Sequence, residues 1–502
     1  MGGRALVGEL SLEHPPEGWR RRAADERRVA IPRKMSSRDD DARHDRRRYH
    51  RHRRGGPPGT LRPAFRRTPY RGHRHGTGEA RIPVNIAFFT ARFPVLSETF
   101  VIRQVAGLKR LGHDVTVITA EWGDPGLAHA IYCDNELGKH VRALRMVHGS
   151  RWRMLTLARF LVRSLVSTAG LRRLGVALRA ALTGSSAALL DIAAQTSHGS
   201  IGRFDAIVAH FGPMGVRAMY LREAGLVEGP IATIFHGHDM SDRNTVARHL
   251  GNYRRLFADT ERMLPISALW GQQLQKWGCP PSCIKVLRMG VDVDALPTLA
   301  PERPLGRPLR VLSVARFTEK KGLDYAIRGV IGARADVRLE IIGGGPLAAE
   351  LRALAAPAGE RIVFLGEQPQ QVVFAALARA DVFLLPSVTA ADGDMEGIPV
   401  ALMEAMASGT LVLTTRHSAI PELVEHGVSG LLVDERDAGA ISTWVERIAA
   451  GAVDVVAMRT AARCKVAREF NNALLDKELA RHCAELGCVS AKPDDQCVAA
   501  KA

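Results

Sequence analysis

The chain has 502 residues, 46% of them hydrophobic, with 70 Lys+Arg against 52 Asp+Glu and a formal net charge of +18. That length exceeds what one core of roughly 200–250 residues fills, so two domains are expected, and neither a disulfide-built miniprotein nor a wholly disordered chain fits this composition. No apolar run reaches the roughly 18 residues of a spanning helix, and the opening stretch, with Arg4, Glu9, Glu13, Glu17 and Arg20, lacks the apolar segment of a signal peptide, so a cytosolic protein is expected.

Seven cysteines, scattered over positions 133, 279, 283, 464, 483, 488 and 497, suit reduced thiols rather than a disulfide framework. Cys279 and Cys283 flank a Pro-Pro turn with no second ligand pair in reach, so no zinc site is read there. The charge is concentrated at the start, where residues 1–80 hold 21 Lys+Arg and 10 Asp+Glu, with runs such as Arg46-Arg47-Arg48 among many Gly and Pro. Such a stretch buries too little apolar surface to offset chain entropy and is expected to be a disordered basic extension. It reads as a tail for nucleic acid or anionic lipid, as a bland solvated extension, or as translated sequence upstream of the real start. The last two are preferred, because 59 of the 70 basic residues are Arg, which suggests a GC-rich coding sequence where spurious upstream frames are common.

Regular structure begins at about residue 84. Val84 to Phe89 reads as a buried strand, a helix with Val101, Val105 and Leu108 on one face ends at Gly112, and Val115 to Thr119 supplies the next strand. Between Glu136 and Asp191 there is no acidic residue, yet ten basic ones, from Lys139 to Arg179, lie among leucines and valines. This insert of about 139–190 reads as a basic amphipathic helix pair, suited to an anionic membrane surface or to packing on the sheet with a solvated arginine face. Strands follow at 206–209, 231–235 and 262–266, and the alternation restarts beyond a Pro-rich joint at 297–308 with strands at 309–314, 338–342, 362–365, 382–385 and 411–414. Two doubly wound α/β domains, about 84–300 and 308–455, are expected, with helices over 456–490 packing back towards the first and a tail at 491–502. Ligands in such sheets bind beyond the carboxyl ends of the strands, so the cleft between the domains is the place for a site.

The strongest local signal is the run from Asp392 to Gly409, in which Gly397 and Pro399 prepare a helix start after a polar loop. Amides of Ile398, Val400 and Ala401 would point out of that helix N-terminus at phosphate or sugar oxygens. Glu396 just before the helix and Glu404 a turn inside it can each accept hydroxyl hydrogen bonds, one from a sugar diol and one from a ribose. A strand delivers Arg316 to its carboxyl end while Lys321 reaches the mouth of the next helix, so that the two cations could clamp a diphosphate or simply be solvated. Weaker signals are the Gly343-Gly344-Gly345 loop and Phe235-His236-Gly237-His238-Asp239, which puts imidazoles where the cleft should be. The pairs Asp392/Asp394 and Asp292/Asp294 offer too few oxygens for a hard cation and read as loops.

Taken in order, Phe93-Pro94-Val95-Leu96-Ser97-Glu98-Thr99-Phe100, residues 235–239, Met289 to Asp292, Arg316 with Lys321, Gly343 to Leu347, Asp394 to Pro399 and Ile420 to Leu423 resemble the family 4 retaining glycosyltransferases of the GT-B fold. The likeness is to the subgroup that builds bacterial exopolysaccharides such as colanic acid and amylovoran, over about 84–490. Met289 stands where Asn is usual, and His417-Ser418-Ala419 replaces a more glycine-rich turn. The resemblance implies two Rossmann-like domains facing a central cleft, and transfer of a hexose from a nucleotide-diphosphate sugar. Arg316 and Lys321 would hold the diphosphate, a task that elsewhere needs a metal ion, so no metal or other cofactor is expected. Glu404 would grip the ribose, Glu396 with amides from Gly397 to Val400 the transferred sugar, and Gly343, Gly345 and the Phe364–Leu365 backbone would wall the donor. His236 would face the anomeric carbon, with Glu98 and Asp239 on the acceptor side and no enzyme nucleophile. A lipid-linked glycan acceptor and a peripheral position at the inner face of the cell membrane follow from the basic helices, with no nucleic-acid partner. The alternatives are a GT-B enzyme with a soluble acceptor, such as a sucrose or glycogen synthase type or an epimerase, a catalytically retired sugar-binding module, and a nucleic-acid-binding protein using residues 1–80.

Overall fold

The computed structural model describes residues 83–95, 98–123, 130–145 and 149–490. The basic extension, Leu96 and Ser97 of the first loop motif, and the tail from 491 lie outside the described residues. In chain order the first domain runs β1 (Asn85–Phe93), α1 (Thr99–Arg110), β2 (Asp114–Trp122), α2 (Ala130–Asp134), β3 (Val141–Ala143), α3 (Ser150–Ser164), α4 (Thr168–Leu182), α5 (Ser186–Gln195), β4 (Gly202–Arg203), β5 (Ala206–His210), α6 (Gly212–Glu223), β6 (Val227–Glu228), β7 (Ile231–Phe235), α7 (His238–Ser241), α8 (Arg243–Asp259), β8 (Arg262–Pro265) and α9 (Ala268–Lys276). The second runs β9 (Leu309–Val314), α10 (Leu323–Gly332), β10 (Val337–Ile342), α11 (Ala348–Ala355), β11 (Ile362–Gly366), α12 (Gln370–Arg379), β12 (Val382–Leu385), α13 (Val400–Ser408), β13 (Leu411–Thr415), α14 (Ile420–Leu423), β14 (Leu431–Val433) and α15 (Ala438–Ala449), followed by α16 (Val455–Glu469) and α17 (Asn472–Ser490).

The two six-stranded sheets are ordered β3-β2-β1-β5-β7-β8 and β11-β10-β9-β12-β13-β14, and every pairing in them is parallel. Each is the Rossmann order, in which the third, second and first strands precede the fourth, fifth and sixth, so the GT-B architecture expected from the sequence is the one observed. Central strands such as β5, β7 and β12 are buried at every position, because helices cover both sheet faces and a continuous apolar run is what such a strand needs.

The chain crosses between the domains twice, and the crossings lie side by side. The Val291 amide donates to Phe470 O at 2.9 Å, and the Asn472 amide donates to Val291 O at 2.9 Å. Gly290 is required at this crossing, since a Cβ there would stand 2.3 Å from Phe470 O. The expectation that all of 456–490 returns to the first domain is corrected here. α16 stays with the second sheet, its Ala462 and Val466 packed beside Leu402 and Met406, whereas Leu479, Cys483 and Leu486 of α17 join the core of the first. Arg459 of α16 is buried beneath the Pro-rich joint and donates to Pro301 O at 3.2 Å and Arg303 O at 2.8 Å, pinning the linker to the second domain.

Candidate active site

Each sheet changes winding direction between its first and fourth strands, which opens a crevice at the carboxyl ends of β1 and β5 in one domain and of β9 and β12 in the other. The segments leaving these four strands carry most of the residues singled out above. Arg316 leaves β9 with an exposed side chain and makes no ion pair among the described residues. Lys321 closes the next turn with its Nζ 2.9 Å from Glu396 Oε2, while Lys320 lies 2.9 Å from Asp394 and 3.9 Å from Glu396 Oε1. Lys320 and Lys321 thus meet Asp394 and Glu396 at one switch point, with Arg316 exposed on the same β9–α10 connection.

Glu396 is 6% exposed, and its Oε1 is buried without a hydrogen-bond partner. Its backbone is fixed from behind by a feature the sequence reading missed. The Glu396 amide donates to His417 Nε2 at 3.0 Å, so the proton of that imidazole sits on Nδ1, which donates to Glu435 Oε1 at 2.6 Å. Glu435 in turn accepts from the Thr389 amide at 2.8 Å, and Ser418 Oγ donates to Glu396 O at 2.7 Å. The one available signal was the departure at His417-Ser418-Ala419 from a glycine-rich turn, where Ser418 adopts φ +47°.

Pro399 caps α13 and Val400 is its first residue, one position later than a helix-opening proline. The helix's first hydrogen bonds run from Leu402 and Met403 to Pro399 O, so the Val400 and Ala401 amides face out of its N-terminus. Ile398 is buried in the second-domain core, and Gly397 abuts Ile266, where a Cβ would lie 2.5 Å from Cδ1. Glu404 is half-buried one turn in; burial pushes its carboxyl up to about 7, against the pull of Arg103 on α1.

The glycines of the 343–345 loop are explained by packing. A Cβ on Gly343 would sit 1.9 Å from Ala315 O, and one on Gly345 2.7 Å from Phe317 O, at φ +137° and +151°. The loop therefore buttresses the Arg316 turn, with the Phe317 amide donating to Gly344 O at 2.7 Å. Phe364 packs edge-on to Phe317 at 6.0 Å under the Arg352 guanidinium, and Leu365 joins the apolar core.

Across the crevice, His236 immediately follows β7. Its Nε2 lies 3.3 Å from His210 Nδ1, its ring rests 4.3 Å from Phe211 and 4.8 Å from Phe100, and its Nδ1 is buried with no partner. Burial, and then His210, hold His236 well below its ordinary range, and burial alone takes His210 down to about 3, so both rings are neutral at pH 7. Gly237 brings this turn against the other domain: a Cβ there would be 2.7 Å from Gly397 N and 3.0 Å from Glu396 C. His238 reaches Asp394 at 3.4 Å, and the Met395 amide donates to Ser241 Oγ at 2.9 Å.

Two acceptor-side expectations fare differently. Asp239 is 1% exposed, and its oxygens accept from the Gly212 amide at 2.8 Å and the His236 amide at 2.9 Å, so it binds its own loops rather than an acceptor, and burial raises it to about 6. Glu98 immediately precedes α1 at the switch point, partly exposed, with its carboxyl raised by burial. A further contact between domains is made by Glu422, whose two oxygens accept the Ala268 and Leu269 amides at 3.0 Å each, capping α9.

Residues 97–295 match the family model described as Glycosyltransferase Family 4, and residues 308–450 the one described as Glycosyl transferases group 1. The chain is 41% identical over 408 residues to the putative colanic acid biosynthesis glycosyltransferase WcaL of Salmonella typhimurium, which covers 79% of this chain and 98% of that one. It is 39% identical over 404 residues to the amylovoran biosynthesis glycosyltransferase AmsK of Erwinia amylovora, with the same coverage. In fold it is similar to Anabaena Alr3699/HepE, solved in complex with UDP, at a TM-score of 0.58 and 16% identity over 80% of this chain and 100% of that one.

Proposed function

Since this chain belongs to the family 4 glycosyltransferases, we propose that it moves a hexose from a nucleotide-diphosphate sugar to a lipid-linked oligosaccharide in exopolysaccharide assembly, with retention at the anomeric carbon and without a metal ion. The observation that carries the reading is the pair of buried polar atoms without a hydrogen-bond partner on facing turns, Glu396 Oε1 and His236 Nδ1, with Lys321 2.9 Å from the other Glu396 oxygen. A buried polar atom left without a hydrogen-bond partner costs about 1–3 kcal/mol, which a ligand's hydroxyls would relieve.

In this account Arg316 and Lys321 neutralise the diphosphate as it leaves, with the Val400 and Ala401 amides adding the positive end of α13. Glu404 accepts from the ribose and Glu396 from the transferred sugar. The bond from the anomeric carbon to the diphosphate oxygen breaks with its electron pair going to phosphate. The acceptor hydroxyl attacks from that same face, and its proton passes to a diphosphate oxygen. Neutral His236 lies near the reacting carbon and Glu98 near the acceptor.

The relatives' names supply the exopolysaccharide setting, and no helix among the described residues is long and apolar enough to cross a membrane, so a peripheral position at the inner membrane face is proposed. The test is transfer from labelled UDP- and GDP-sugars to lipid-linked glycans extracted from a polymer-producing strain, in EDTA, with the anomeric configuration of the product read by NMR. Product of retained configuration is expected. Inversion, or a strict need for added divalent metal, would overturn the mechanism.

A further inference from the structure

Ten of the seventeen large apolar side chains that stand exposed among the described residues lie between Trp152 and Leu182, on the α3–α4 hairpin. They follow the helical repeat. On α3 and just past its end, Met154, Leu161, Val162, Leu165 and Val166 point outward, and on α4 Leu171, Leu178 and Leu182, seven and then four residues apart, form a stripe on one face. Each helix uses a different, narrower face for the protein core, through Phe160 on α3 and Val176, Ala177 and Ala180 on α4. Around the turn, Leu165 is 61% and Val166 82% exposed, which ordinary packing on the sheet leaves unexplained.

The charges around these stripes select an occupant. Arg159, Arg163 and Arg172 are exposed and make no ion pair among the described residues, whereas Arg179 turns to Glu223. Arg145, Arg159, Arg163 and His198 line a groove of about 700 Å³ beside Val162. A second copy of the same acid-free surface would be repelled, and a protein surface would have to be both apolar and strongly acidic. An anionic bilayer offers apolar depth beneath a phosphate layer, which is the arrangement this hairpin presents.

We propose that the outer face of the α3–α4 hairpin inserts its apolar stripes into the headgroup boundary of an anionic phospholipid membrane, with the arginine groove taking lipid phosphates. This deepens the membrane-borne acceptor reading, and its test does not depend on transfer. The full chain is floated with vesicles of phosphatidylglycerol and phosphatidylcholine, or of phosphatidylcholine alone, in low and high salt. Leu165→Ser/Val166→Ser/Leu171→Ser and Arg163→Glu/Arg172→Glu are compared with it, all at exposed positions, with thermal melts as the folding control. Each basic residue near such a surface contributes about five-fold in partitioning, so the charge variant should bind about twenty-five-fold more weakly or worse. The serine variant should lose about a hundred-fold and, with it, the salt-resistant bound fraction. Trp152, at the start of α3 and 63% exposed, should be quenched by bromine-labelled acyl chains, and Trp152→Phe should remove that quenching. A basic tail alone would bind only in low salt and would ignore the serine changes. Equal binding by all three proteins, absent quenching of Trp152, or a dimer that the serine variant dissolves would each overturn the insertion. Loss of sugar transfer with vesicle binding intact would count against the proposed function alone.

Discussion

His417→Leu removes two hydrogen bonds at once. The Glu396 amide, in a buried position, loses its acceptor, worth about 1–3 kcal/mol, and Glu435 loses a donor at 2.6 Å. Glu435 keeps the Thr389 amide at 2.8 Å and Arg436 at 3.2 Å, so its loss falls at the low end of the range for bonds to charged groups. A total of about 2–4 kcal/mol in unfolding free energy is expected, measurable by denaturant titration. The functional effect is selective. His417 holds the turn bearing Glu396 and touches none of the residues assigned to the nucleotide, so binding of the sugar nucleotide should weaken about ten-fold while UDP or GDP alone binds as before, both read by calorimetry. His417→Gln, which keeps an acceptor oxygen, should recover part of the loss. Equal weakening of nucleotide and sugar nucleotide, or no change in either, would refute the view that His417 positions Glu396.

Glu404, held up at about 7 from an ordinary 4.5, should impose a pH dependence. The fold favours its protonated form, so the stability it contributes is full below pH 4.5, declines as pH rises towards 7 and is gone above; nucleotide affinity, which needs the carboxylate, should instead climb between pH 6 and 8 and become flat in Glu404→Gln. Gly237→Ala would place a Cβ 2.7 Å from one backbone atom of the facing domain and 2.9 Å from another, so transfer should fall at least about ten-fold with nucleotide binding retained, as kinetics and calorimetry would show. Arg459→Met leaves the Pro301 and Arg303 carbonyls without their buried donor and should cost about 2–4 kcal/mol in denaturant titrations, with no change in nucleotide affinity.

The two sheets were legible because strands buried on both faces are continuous apolar runs, as in Ile231–Phe235 and Val382–Leu385, whereas β14 at the sheet edge has only three residues, too few for a periodic signal. Arg316, Lys321 and Glu396 could be singled out because loop signals place them beyond strand ends, and Glu404 because the helix start at Pro399 sets it one turn into α13. The His417–Glu435 relay could not, since its members lie 18 and 21 residues from their partners and only the folded turn shows which imidazole nitrogen accepts. Asp239 was misjudged for a related reason: a carboxylate at a strand end looks alike in sequence whether it faces a ligand or its own backbone amides. On the α3–α4 hairpin the basic, amphipathic composition could be read, but which apolar side chains face outward depends on which stripe the core takes.

The most direct measurement is thermal stabilisation of the full chain by UDP, GDP and ADP in EDTA, beside Arg316→Ala and Lys321→Ala. Ligand at 100 times its dissociation constant adds about 2.7 kcal/mol of stability. The account predicts that one nucleotide raises the melting temperature in EDTA and that both variants lose this shift, Arg316→Ala melting normally without ligand and Lys321→Ala somewhat lower because Glu396 loses its ion pair. Stabilisation that appears only when divalent metal is restored, or that survives both substitutions, would contradict it.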